Sequence, residues 1–582
     1  MDRTESGRSL LRRWEAAKPT NFYEDDEYLK SALAHRLGPE RFAAVRPALH
    51  RAGADSAGPI SRAASIVDRP EHLPRLERWS PTGDRTEEIV HHPEHHAVGR
   101  LVWRSGVLSV LGEPGSMTEH AALAYLFALN GEVPHLCSIA CTAGLVKVLQ
   151  RAGSPWMQQT WLPRLLDADY DRRWHGAQFL TEVQGGSDVG ANACVARPVA
   201  GEPGGWTVSG EKWFCSNVGA DLYVLSARPE NGPDGTPGIA LFVVPRRLDS
   251  GEPNGVFIRR LKNKLGTRTL PTAEVDFRDA RAWPVGELGD GFRLLMGVVI
   301  NTSRLEVAIG TSGILRRAFV EAFHYARARE AFGKRLVDFP AVRQQLAEMR
   351  ALGAGALGLT LWTAALEDRL VRAGARPEED PLFRTAVNIA KYVCSTDAGL
   401  AVHHAIEVLG GNGTIEDFSP LPRLYREVPV QESWEGPHNT LMAQLLRDAL
   451  RSKMHAALVE AAQETLLAVS ARDLVATRDR ALAALDDTRG TLEGLLRGDP
   501  QVAALHVRAL LTRVARVLQA GLLLEDAQAA TGAPGWLPAA ADLLLRRAMA
   551  GYDSALDPAY PGIVAQLIPV GDPDRPVLDR VR

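Results

Sequence analysis

The stretch QFLTEVQGGSD, residues 178–188, marks the point where the pattern of the sequence changes from helical to extended. Before it, residues 137–149 carry apolar side chains at helical spacing. After it, short runs rich in Val, Ile, Phe and Trp, such as residues 222–227, alternate with Gly, Pro, Asn and Asp. Residues from about 177 to 290 are therefore predicted to form a β-domain.

The remaining segments are predicted to be helical on both sides of this β-domain. Residues 85–170 carry long apolar-periodic segments, and helical periodicity returns at about residue 292 and continues to about residue 454. Residues 456–582 are rich in Ala and Leu and are expected to form further helices. Helices, sheet and helices in separate segments predict an α+β architecture.

Length and composition fit a globular protein of several units. The chain has 582 residues, so three or four structural units are expected. The apolar share of 45% and the charged share of 24% are ordinary for a soluble protein. A net charge of -3 gives no overall attraction to nucleic acid or to an anionic membrane. No secretory-type leader and no uncharged apolar run of membrane-spanning length is expected.

The five cysteines are odd in number and widely spaced, which argues against a disulfide framework. Cys137 and Cys141 could share a helix face, but without a second pair or a nearby His they fit a core better than a metal site. No metal is therefore predicted. Reduced thiols indicate a cytoplasmic location.

Four short motifs contain residues that could bind a cofactor, and each also has a purely structural interpretation. In residues 178–188 the glycines would let backbone N–H groups approach a phosphate, or would form an ordinary turn. In GEKWFCSN, residues 210–217, an aromatic could flank a planar ring or belong to a strand core. Arginines of RAREAFGK, residues 327–334, could bind phosphate or suit the end of a helix. EVLGGNG, residues 407–413, could allow close backbone approach or stop a helix.

A fifth motif, ESWEGPHNT at residues 432–440, contains a candidate general base. Glu435 stands between Trp434 and Gly436-Pro437. An apolar neighbour raises the pKa of a carboxyl group and makes it a better base near neutral pH. An isolated Glu is nevertheless more often a surface residue than a catalyst.

In their order and spacing, these five motifs make the chain from about residue 85 to residue 450 resemble the acyl-CoA dehydrogenase superfamily. Thr181-Glu182 followed by Gly-Gly-Ser-Asp is similar to the family's first flavin motif. The other matching segments are residues 212–217 (the flavin-flanking strand), 329–334 (Arg-x-x-Phe-Gly-Lys), 408–413 (Gly-Gly-Asn-Gly) and 434–436 (the catalytic Glu).

The resemblance implies an acyl-CoA dehydrogenase-like fold with a β-barrel between two helical domains, extended at both ends. The expected parts are an N-terminal extension (1–60), an N-terminal helical domain (61–176), a central β-barrel domain (177–290), a C-terminal four-helix bundle domain (291–455) and a C-terminal helical extension (456–582).

The resemblance also implies FAD as the cofactor. The positions that match cofactor-binding residues are Gln178, Thr181, Gly186, Ser187, Phe214, Ser216, Arg329, Phe332, Glu407, Gly410, Gly411 and Asn439. Gln178 and Thr181 are expected at the flavin ring, Ser187 at the pyrophosphate and Ser216 near the N5 edge, with Phe214 against the flavin. In this family a second subunit completes the site, so a homo-oligomer, expected to be a tetramer, would bring Arg329, Phe332, Glu407 and Gly411 to a neighbour's FAD.

Glu435 is the expected catalytic residue, taking the proton beside a thioester carbonyl while the β-hydride passes to flavin N5. Some relatives place the base at a position that looks like Ser303 here, and a serine cannot serve as that carboxylate. Glu306, one turn further on, is the fallback candidate. Ser303 and Arg304 are also the tentative substrate-binding residues.

Paired aromatics at residues 213–214, RLYRE at residues 423–427 and the extra helices resemble the AidB-like (adaptive response) branch. The first hypothesis is a dehydrogenase acting on an acyl thioester of CoA or of a carrier protein, with an electron acceptor that the sequence does not identify. Alternatives are an acyl-CoA oxidase-type flavoenzyme, and a flavoprotein that binds DNA or a protein. Residues 451–582 hold 15 Lys/Arg and 16 Asp/Glu, so DNA binding is not favoured.

Overall fold

The computed structural model describes residues 3–569 except 203, 531 and 550. Its elements follow the order helices, sheet and helices, which confirms the α+β fold class. The helices before the sheet are α1 (Arg3–Ala17), α2 (Phe22–Asp25), α3 (Glu27–Asp55), α4 (Ser61–Val67), α5 (Pro93–Trp103), α6 (Met117–Ala128), α7 (Leu136–Ala152) and α8 (Pro155–Leu165).

A two-stranded hairpin of β1 (Arg75–Trp79) and β2 (Arg85–Val90) interrupts these helices. The prediction that residues 85–170 are helical is therefore wrong for β2. Ile258 donates its backbone N–H to Glu87 Oε2 at 2.7 Å, and Arg246 donates to the Glu87 carbonyl oxygen at 2.6 Å. The hairpin thus gains partners from the central sheet, which local sequence periodicity does not reveal.

Seven strands form the central sheet, and five of them close into a barrel. The strands are β3 (Gly176–Phe179), β4 (Val195–Pro198), β5 (Trp206–Ser216), β6 (Leu222–Pro229), β7 (Ala240–Pro245), β8 (Val256–Leu261) and β9 (Thr272–Pro284). Pairing runs from β6 through β4, β5, β9 and β7 back to β6, while β3 lies against β6 and β8 against β9. Closure removes most free strand edges.

The largely apolar barrel interior contains a buried ion pair. Lys212 is fully buried and donates from Nζ to Glu182 Oε1 at 2.7 Å and to Ser226 Oγ at 3.2 Å. Glu182 also accepts the backbone N–H of Ala193 at 2.6 Å. A buried charge needs such partners to be tolerated. The Lys212–Glu182 ion pair therefore links the turn at residues 182–188 to β5.

The helices that follow the barrel form a bundle. These helices are α9 (Gly291–Leu294), α10 (Asn301–Ala328), α11 (Pro340–Arg372), α12 (Pro381–Leu409), α13 (Leu421–Ser433) and α14 (His438–Ser452). A π-helix, Leu295–Ile300, leads into α10. Two segments, Leu288–Ala328 and Pro340–Arg372, have the length and mean hydropathy, 1.2, of membrane spans. Neither segment contains 18 consecutive uncharged residues, and 83% of each apolar window is buried inside the protein, as in core helices.

The C-terminal extension packs against α11 and α12. Its helices are α15 (His455–Leu467), α16 (Val475–Arg497), α17 (Pro500–Ala529), α18 (Leu537–Ala548) and α19 (Tyr560–Leu567). Asp526 of α17 accepts hydrogen bonds from the Tyr28 hydroxyl at 2.7 Å and from Arg36 Nη1 at 2.6 Å, both on α3. The late extension therefore contacts the first helices directly. Residues 570–582 of the predicted extension lie outside the described residues.

Candidate functional site

The loop between α13 and α14 carries Glu435 in an unusual backbone conformation. Glu435 has φ +56° and Gly436 has φ +100°, both in the left-handed region. Such a conformation costs a non-glycine residue roughly 1–3 kcal/mol, so its surroundings must hold it. Lys391 Nζ donates to the carbonyl oxygens of Glu432 (2.6 Å) and Gly436 (3.0 Å). Arg304 Nε donates to the carbonyl oxygen of Glu435 at 3.0 Å.

The Glu435 carboxylate meets two other predicted site residues. Gln178 of β3 donates from Nε2 to Glu435 Oε1 at 2.9 Å. Ser303 of α10 lies beside Gln178, with its Oγ 2.9 Å from Gln178 Nε2 and 3.1 Å from Gln178 Oε1. Three residues that are far apart in sequence therefore converge where the barrel, α10 and the loop after α13 meet.

Burial raises the pKa of Glu435 to about 6, although the neighbouring Arg304 and Lys391 cations and the Gln178 hydrogen bond favour the ionised form. Burial, together with the Arg304 charge, lowers the pKa of Lys391 to about 7, and burial lowers the pKa of Arg304 to about 10. Arg304 Nη1 also donates to Asn388 Oδ1 at 2.6 Å. The site thus holds one carboxylate between two buried cations.

Two residues of this network, Lys391 and Asn388 on α12, were not predicted from the sequence. Both are buried, and both act on the loop or on Arg304. The available signal was a lysine placed inside the apolar run NIAKYVC, residues 388–394. A charged residue in such a run needs a partner.

The fallback base, Glu306, is directed elsewhere. It is buried, and its Oε1 contacts His120 Nε2 of α6. His120 in turn hydrogen-bonds through Nδ1 to the Val107 carbonyl oxygen. Glu306 therefore belongs to a contact between α6 and α10, and the structure does not bring it to Glu435.

One end of β5 presents the residues that resemble a flavin-binding strand. Phe214 is 52% exposed, and the Lys262 ammonium lies 3.6 Å from the ring centroid of Trp213. Trp213 donates its backbone N–H to the Thr181 carbonyl oxygen at 2.8 Å. An exposed aromatic ring next to hydroxyl side chains suits a planar, polar-edged cofactor such as a flavin.

The Gly-Gly turn lies between this strand and the Glu435 loop. A Cβ added to Gly186 would stand 2.5 Å from Thr181 Oγ1, so a larger residue there would require the Thr181 side chain to move. Ser187 is exposed, and its Oγ lies 3.3 Å from Thr440 Oγ1 on α14. The turn is thus open to solvent on one side, as a phosphate-binding turn must be.

The segment at residues 327–334 does not simply close a helix, as the sequence suggested. α10 ends at Ala328, and the chain continues into a small hairpin, β10 (Glu330–Ala331) and β11 (Lys334–Arg335). Phe332 stands at the tip of this hairpin with φ +52° and is 96% exposed.

The remaining predicted residues lie at the surface. Glu407 Oε2 accepts a hydrogen bond from Gln345 Nε2 at 2.5 Å. Gly410, with φ +61°, follows the last residue of α12, and the next residue, Gly411, is exposed. Asn439 Oδ1 accepts from Arg508 Nη2 of the extension at 2.6 Å. Among the described residues, the hydrogen bonds of Glu435 do not reach these surface residues. They do not reach Arg329 or Phe332 either. Over the described residues, no group of three His, Cys, Asp or Glu side chains could hold a metal ion.

Three protein families match consecutive parts of the chain. Residues 14–172 match the adaptive response protein AidB N-terminal domain, residues 177–280 the acyl-CoA dehydrogenase middle domain, and residues 289–450 the acyl-CoA dehydrogenase C-terminal domain. The chain is 34% identical over 387 residues to the acyl-CoA dehydrogenase homologue AidB of Escherichia coli (strain K12), which covers 64% of this chain and 69% of AidB. It is 31% identical over 448 residues to acyl-CoA dehydrogenase family member 11 of Caenorhabditis elegans, covering 73% of this chain and 70% of that relative.

Solved structures show the same architecture. Caenorhabditis elegans ACDH-11 in complex with C11-CoA has a TM-score of 0.83 at 27% identity and covers 91% of this chain and 92% of its own. An acyl-CoA dehydrogenase from Bacillus anthracis complexed with FAD has a TM-score of 0.62 over 88% of this chain and 91% of its own, and its 18% identity supports the fold alone. The N-terminal helical, central barrel and C-terminal helical parts therefore form one known arrangement.

Proposed function

The chain belongs to the acyl-CoA dehydrogenase family, and we propose that it is an FAD-dependent oxidoreductase that removes the α and β hydrogens of an acyl thioester. The placement of the Glu435 carboxylate carries this proposal, because Gln178 holds it where the barrel meets α10. Glu435 is the proposed general base for the α-proton.

The surroundings of Glu435 suit this role. A base works best when its pKa lies near the working pH, and the pKa of Glu435 is raised to about 6. It is therefore ionised at neutral pH yet more basic than an exposed glutamate. Arg304 and Lys391 keep the carboxylate charged and, through the loop carbonyls, fix its position. Gln178 supplies one hydrogen bond that orients it.

We propose that FAD is held by Thr181, Gly186, Ser187, Phe214 and Ser216. The exposed Phe214 ring, the hydroxyl groups beside it and the open glycine turn support this assignment. Bound FAD would supply the acceptor for the β-hydride. The chain's own part is to present an apolar face, hydroxyl groups and backbone N–H donors, and to keep the reacting carbon within reach of Glu435.

An acyl-CoA is the proposed substrate, in line with the C11-CoA complex of the related ACDH-11. Apolar surface for an acyl chain lies next to the base, because Trp434 packs against Cys137, Cys141 and Leu270. This small cluster is separate from the main core and lies between α7, the barrel and the Glu435 loop. We propose that an alkyl group beside Glu435 would lie along this cluster.

We further propose a homo-oligomer, expected to be a tetramer, in which Phe332 of one subunit is covered by another. The hairpin that carries Phe332, and the exposed Glu407, Gly410 and Gly411, are surfaces a second subunit would contact. All five cysteines are buried and free, which supports the proposed cytoplasmic location.

Three basic residues of the extension are already paired with carboxylates, which does not favour a DNA-binding role for them. Arg516 pairs with Asp397 at 2.5 Å and Arg546 with Asp557 at 2.6 Å, while Arg547 pairs with Glu348 at 2.5 Å. Phosphate binding needs basic groups that are not already neutralised. We therefore propose an enzymatic rather than a nucleic-acid-binding function.

Anaerobic titration of the purified protein with a panel of acyl-CoA thioesters tests the proposed reaction. We expect the oxidised flavin absorbance to bleach with at least one of them. Glu435→Gln should retain FAD and slow bleaching by roughly 10²–10⁴-fold, the usual contribution of a general base. Equal bleaching rates in the parent and in Glu435→Gln would contradict the base assignment.

The same titration in air separates two reactions of this family. A dehydrogenase should bleach without rapid reoxidation, whereas stoichiometric hydrogen peroxide release would assign an oxidase. Protein that is colourless and does not take up added FAD would contradict the cofactor proposal itself.

A further inference from the structure

The C-terminal extension and the Gly-Gly turn meet at the first turn of α14. Ser187 of the Gly-Gly turn places its Oγ 3.3 Å from Thr440 Oγ1. At the preceding residue of α14, Arg508 of α17 donates from Nη2 to Asn439 Oδ1 at 2.6 Å. Ser187 and Arg508 therefore contact adjacent residues of one helix, although one belongs to the barrel domain and the other to the extension.

Two contacts with α12 hold the part of α17 that carries Arg508. Arg516 pairs with the buried Asp397 through two hydrogen bonds, of 2.6 Å and 2.5 Å. The Tyr392 hydroxyl lies 3.2 Å from Thr512 Oγ1. Thr512 and Arg516 follow Arg508 at successive helical turns, so the three residues lie on the same side of α17. Packing between α12 and α17 therefore directs this side of α17, and Arg508 with it, towards α14.

The surroundings of the Gly-Gly turn have no fixed positive charge of their own that is free for a phosphate. Residues 178–192 contain two acidic residues and no Lys or Arg. In the first turn of α14 the basic residue is His438, and burial, together with the Lys391 and Arg508 charges, lowers the pKa of His438 to about 4. His438 is therefore neutral at neutral pH. A diphosphate group is doubly negative and is bound most strongly by charge-assisted hydrogen bonds.

Arg508 has the donors and the charge that this region lacks. It is exposed, and among the described residues the ion pairs of the extension do not include it. Its bond to Asn439 uses one of the five N–H donors of a guanidinium group. Because arginine only donates, Asn439 must present Oδ1 to Arg508, and its Nδ2 group is left as a donor for another partner.

We propose that Arg508 is a cofactor-binding residue that supplies the positive charge for the FAD diphosphate and turns the Asn439 amide towards it as a donor. This inference rests on the proposed function, in which Gly186 and Ser187 hold FAD. Arg508 lies beyond residues 289–450, which match the acyl-CoA dehydrogenase C-terminal domain. The extension thereby takes part in holding the cofactor.

Binding of FAD and of riboflavin tests this role, because riboflavin has the flavin ring but no phosphate. Fluorescence titration of the full-length protein, freed of flavin, gives both dissociation constants. We expect Arg508→Gln to weaken FAD binding by roughly five- to fifty-fold, as for a partly solvated charged hydrogen bond, and to leave riboflavin binding unchanged. Arg508→Lys keeps the charge and should recover part of the loss. Arg513→Gln, on the same helix, is the matched control and should bind both flavins like the parent.

Ionic strength gives a second readout. Salt screens the attraction between exposed charges, so the affinity of the parent for FAD should fall more steeply with added salt than that of Arg508→Gln. Riboflavin is uncharged, and its binding should respond equally to salt in both proteins. The same salt dependence of FAD binding in the parent and in Arg508→Gln would contradict a charge-based role for Arg508.

The outcomes separate this inference from the proposed function. A parent protein that takes up no FAD overturns the proposed function itself. Equal FAD affinity in the parent and in Arg508→Gln overturns the role of Arg508 alone, and so does an equal loss of FAD and riboflavin binding, which would place the effect on the fold of the site. Unchanged FAD binding with a raised KM for an acyl-CoA would assign Arg508 to the phosphates of CoA and overturn the FAD assignment.

A second variant keeps the inference testable should Arg508→Gln fold poorly. Asn439→Ala removes the amide that Arg508 orients, at an exposed position. It must weaken FAD binding and spare riboflavin binding. Unchanged FAD binding in Asn439→Ala would overturn the proposed orientation of the amide.

Discussion

Arg304 donates from Nε to the backbone carbonyl oxygen of Glu435 at 3.0 Å, so this arginine holds the proposed base by its main chain and not by its carboxylate. The carboxylate keeps Gln178 as a hydrogen-bond donor. A base that is fixed through its backbone can change protonation state without losing its position. Arg304 also lies close enough for its charge to favour the ionised carboxylate.

Arg304→Lys is expected to slow flavin reduction by roughly ten- to a hundred-fold while FAD remains bound, because lysine cannot contact both the Glu435 carbonyl and Asn388 in the same way. Stopped-flow measurement of flavin bleaching gives the rate, and the absorbance of the purified protein gives FAD content. Arg451→Lys, an exposed position on α14, serves as the control and should match the parent. A bleaching rate for Arg304→Lys equal to that of the parent would show that the loop does not need this arginine.

Flavin reduction should depend on pH through Glu435. Because its pKa is raised to about 6, the carboxylate is ionised above that pH and the rate should be constant there. Below it the rate should fall by roughly ten-fold per pH unit, as expected for loss of a single base. Lys391→Met removes a neighbouring cation that favours ionisation, so the falling limb should move to higher pH. If the falling limb of the rate–pH profile stays at the same pH in Lys391→Met, a group other than Glu435 controls the rate.

Glu306→Gln should bleach within a few-fold of the parent, because Glu306 contacts His120 and is not near Glu435. The measurement is the same anaerobic titration used for Glu435→Gln, with both variants compared at equal FAD content. Some loss of thermal stability is expected, since the buried His120 loses a charged partner. Abolished bleaching in a folded, FAD-loaded Glu306→Gln protein would restore it as a candidate base.

Breaking the ion pair inside the barrel should cost more than removing both of its charges. Lys212→Met leaves Glu182 buried without its cation and is expected to destabilise the protein by about 3–5 kcal/mol. The double variant Lys212→Met/Glu182→Gln should recover part of that loss. Chemical denaturation followed by tryptophan fluorescence measures both. Additive effects of Lys212→Met and Glu182→Gln would show that the two side chains act independently.

The sequence predicted the fold class and the central residues of the candidate site for different reasons. Strand-rich and helix-rich segments follow from local spacing, so a β-domain between helical regions could be foreseen, whereas the barrel was expected only from the family resemblance. The meeting of Gln178, Ser303 and Glu435 could be expected only from the family resemblance, because spacing along the chain does not reveal which loops converge. Their contacts agree with one shared site.

What was missed depends on tertiary partners. β2, with the sequence RTEEIV, has no apolar periodicity of its own and is completed by Ile258 and Arg246. Lys391 lies in a region predicted to be helical, but its contacts with the Glu435 loop require knowing how α12 and α13 pack. The assignments of Arg329, Phe332, Glu407, Gly410, Gly411 and Asn439 to FAD remain predictions, since they depend on a second subunit or on the cofactor.

The contact between Asp526 and Tyr28 has a consequence for biosynthesis. These residues are 498 positions apart in the chain. At about 5–20 residues per second, the ribosome would deliver Asp526 roughly 25–100 s after Tyr28. During that interval the surface of α3 that α17 covers must remain exposed on the nascent chain. Completion of the N-terminal part is thereby coupled to the last stage of translation, and the growing polypeptide needs protection from aggregation until then.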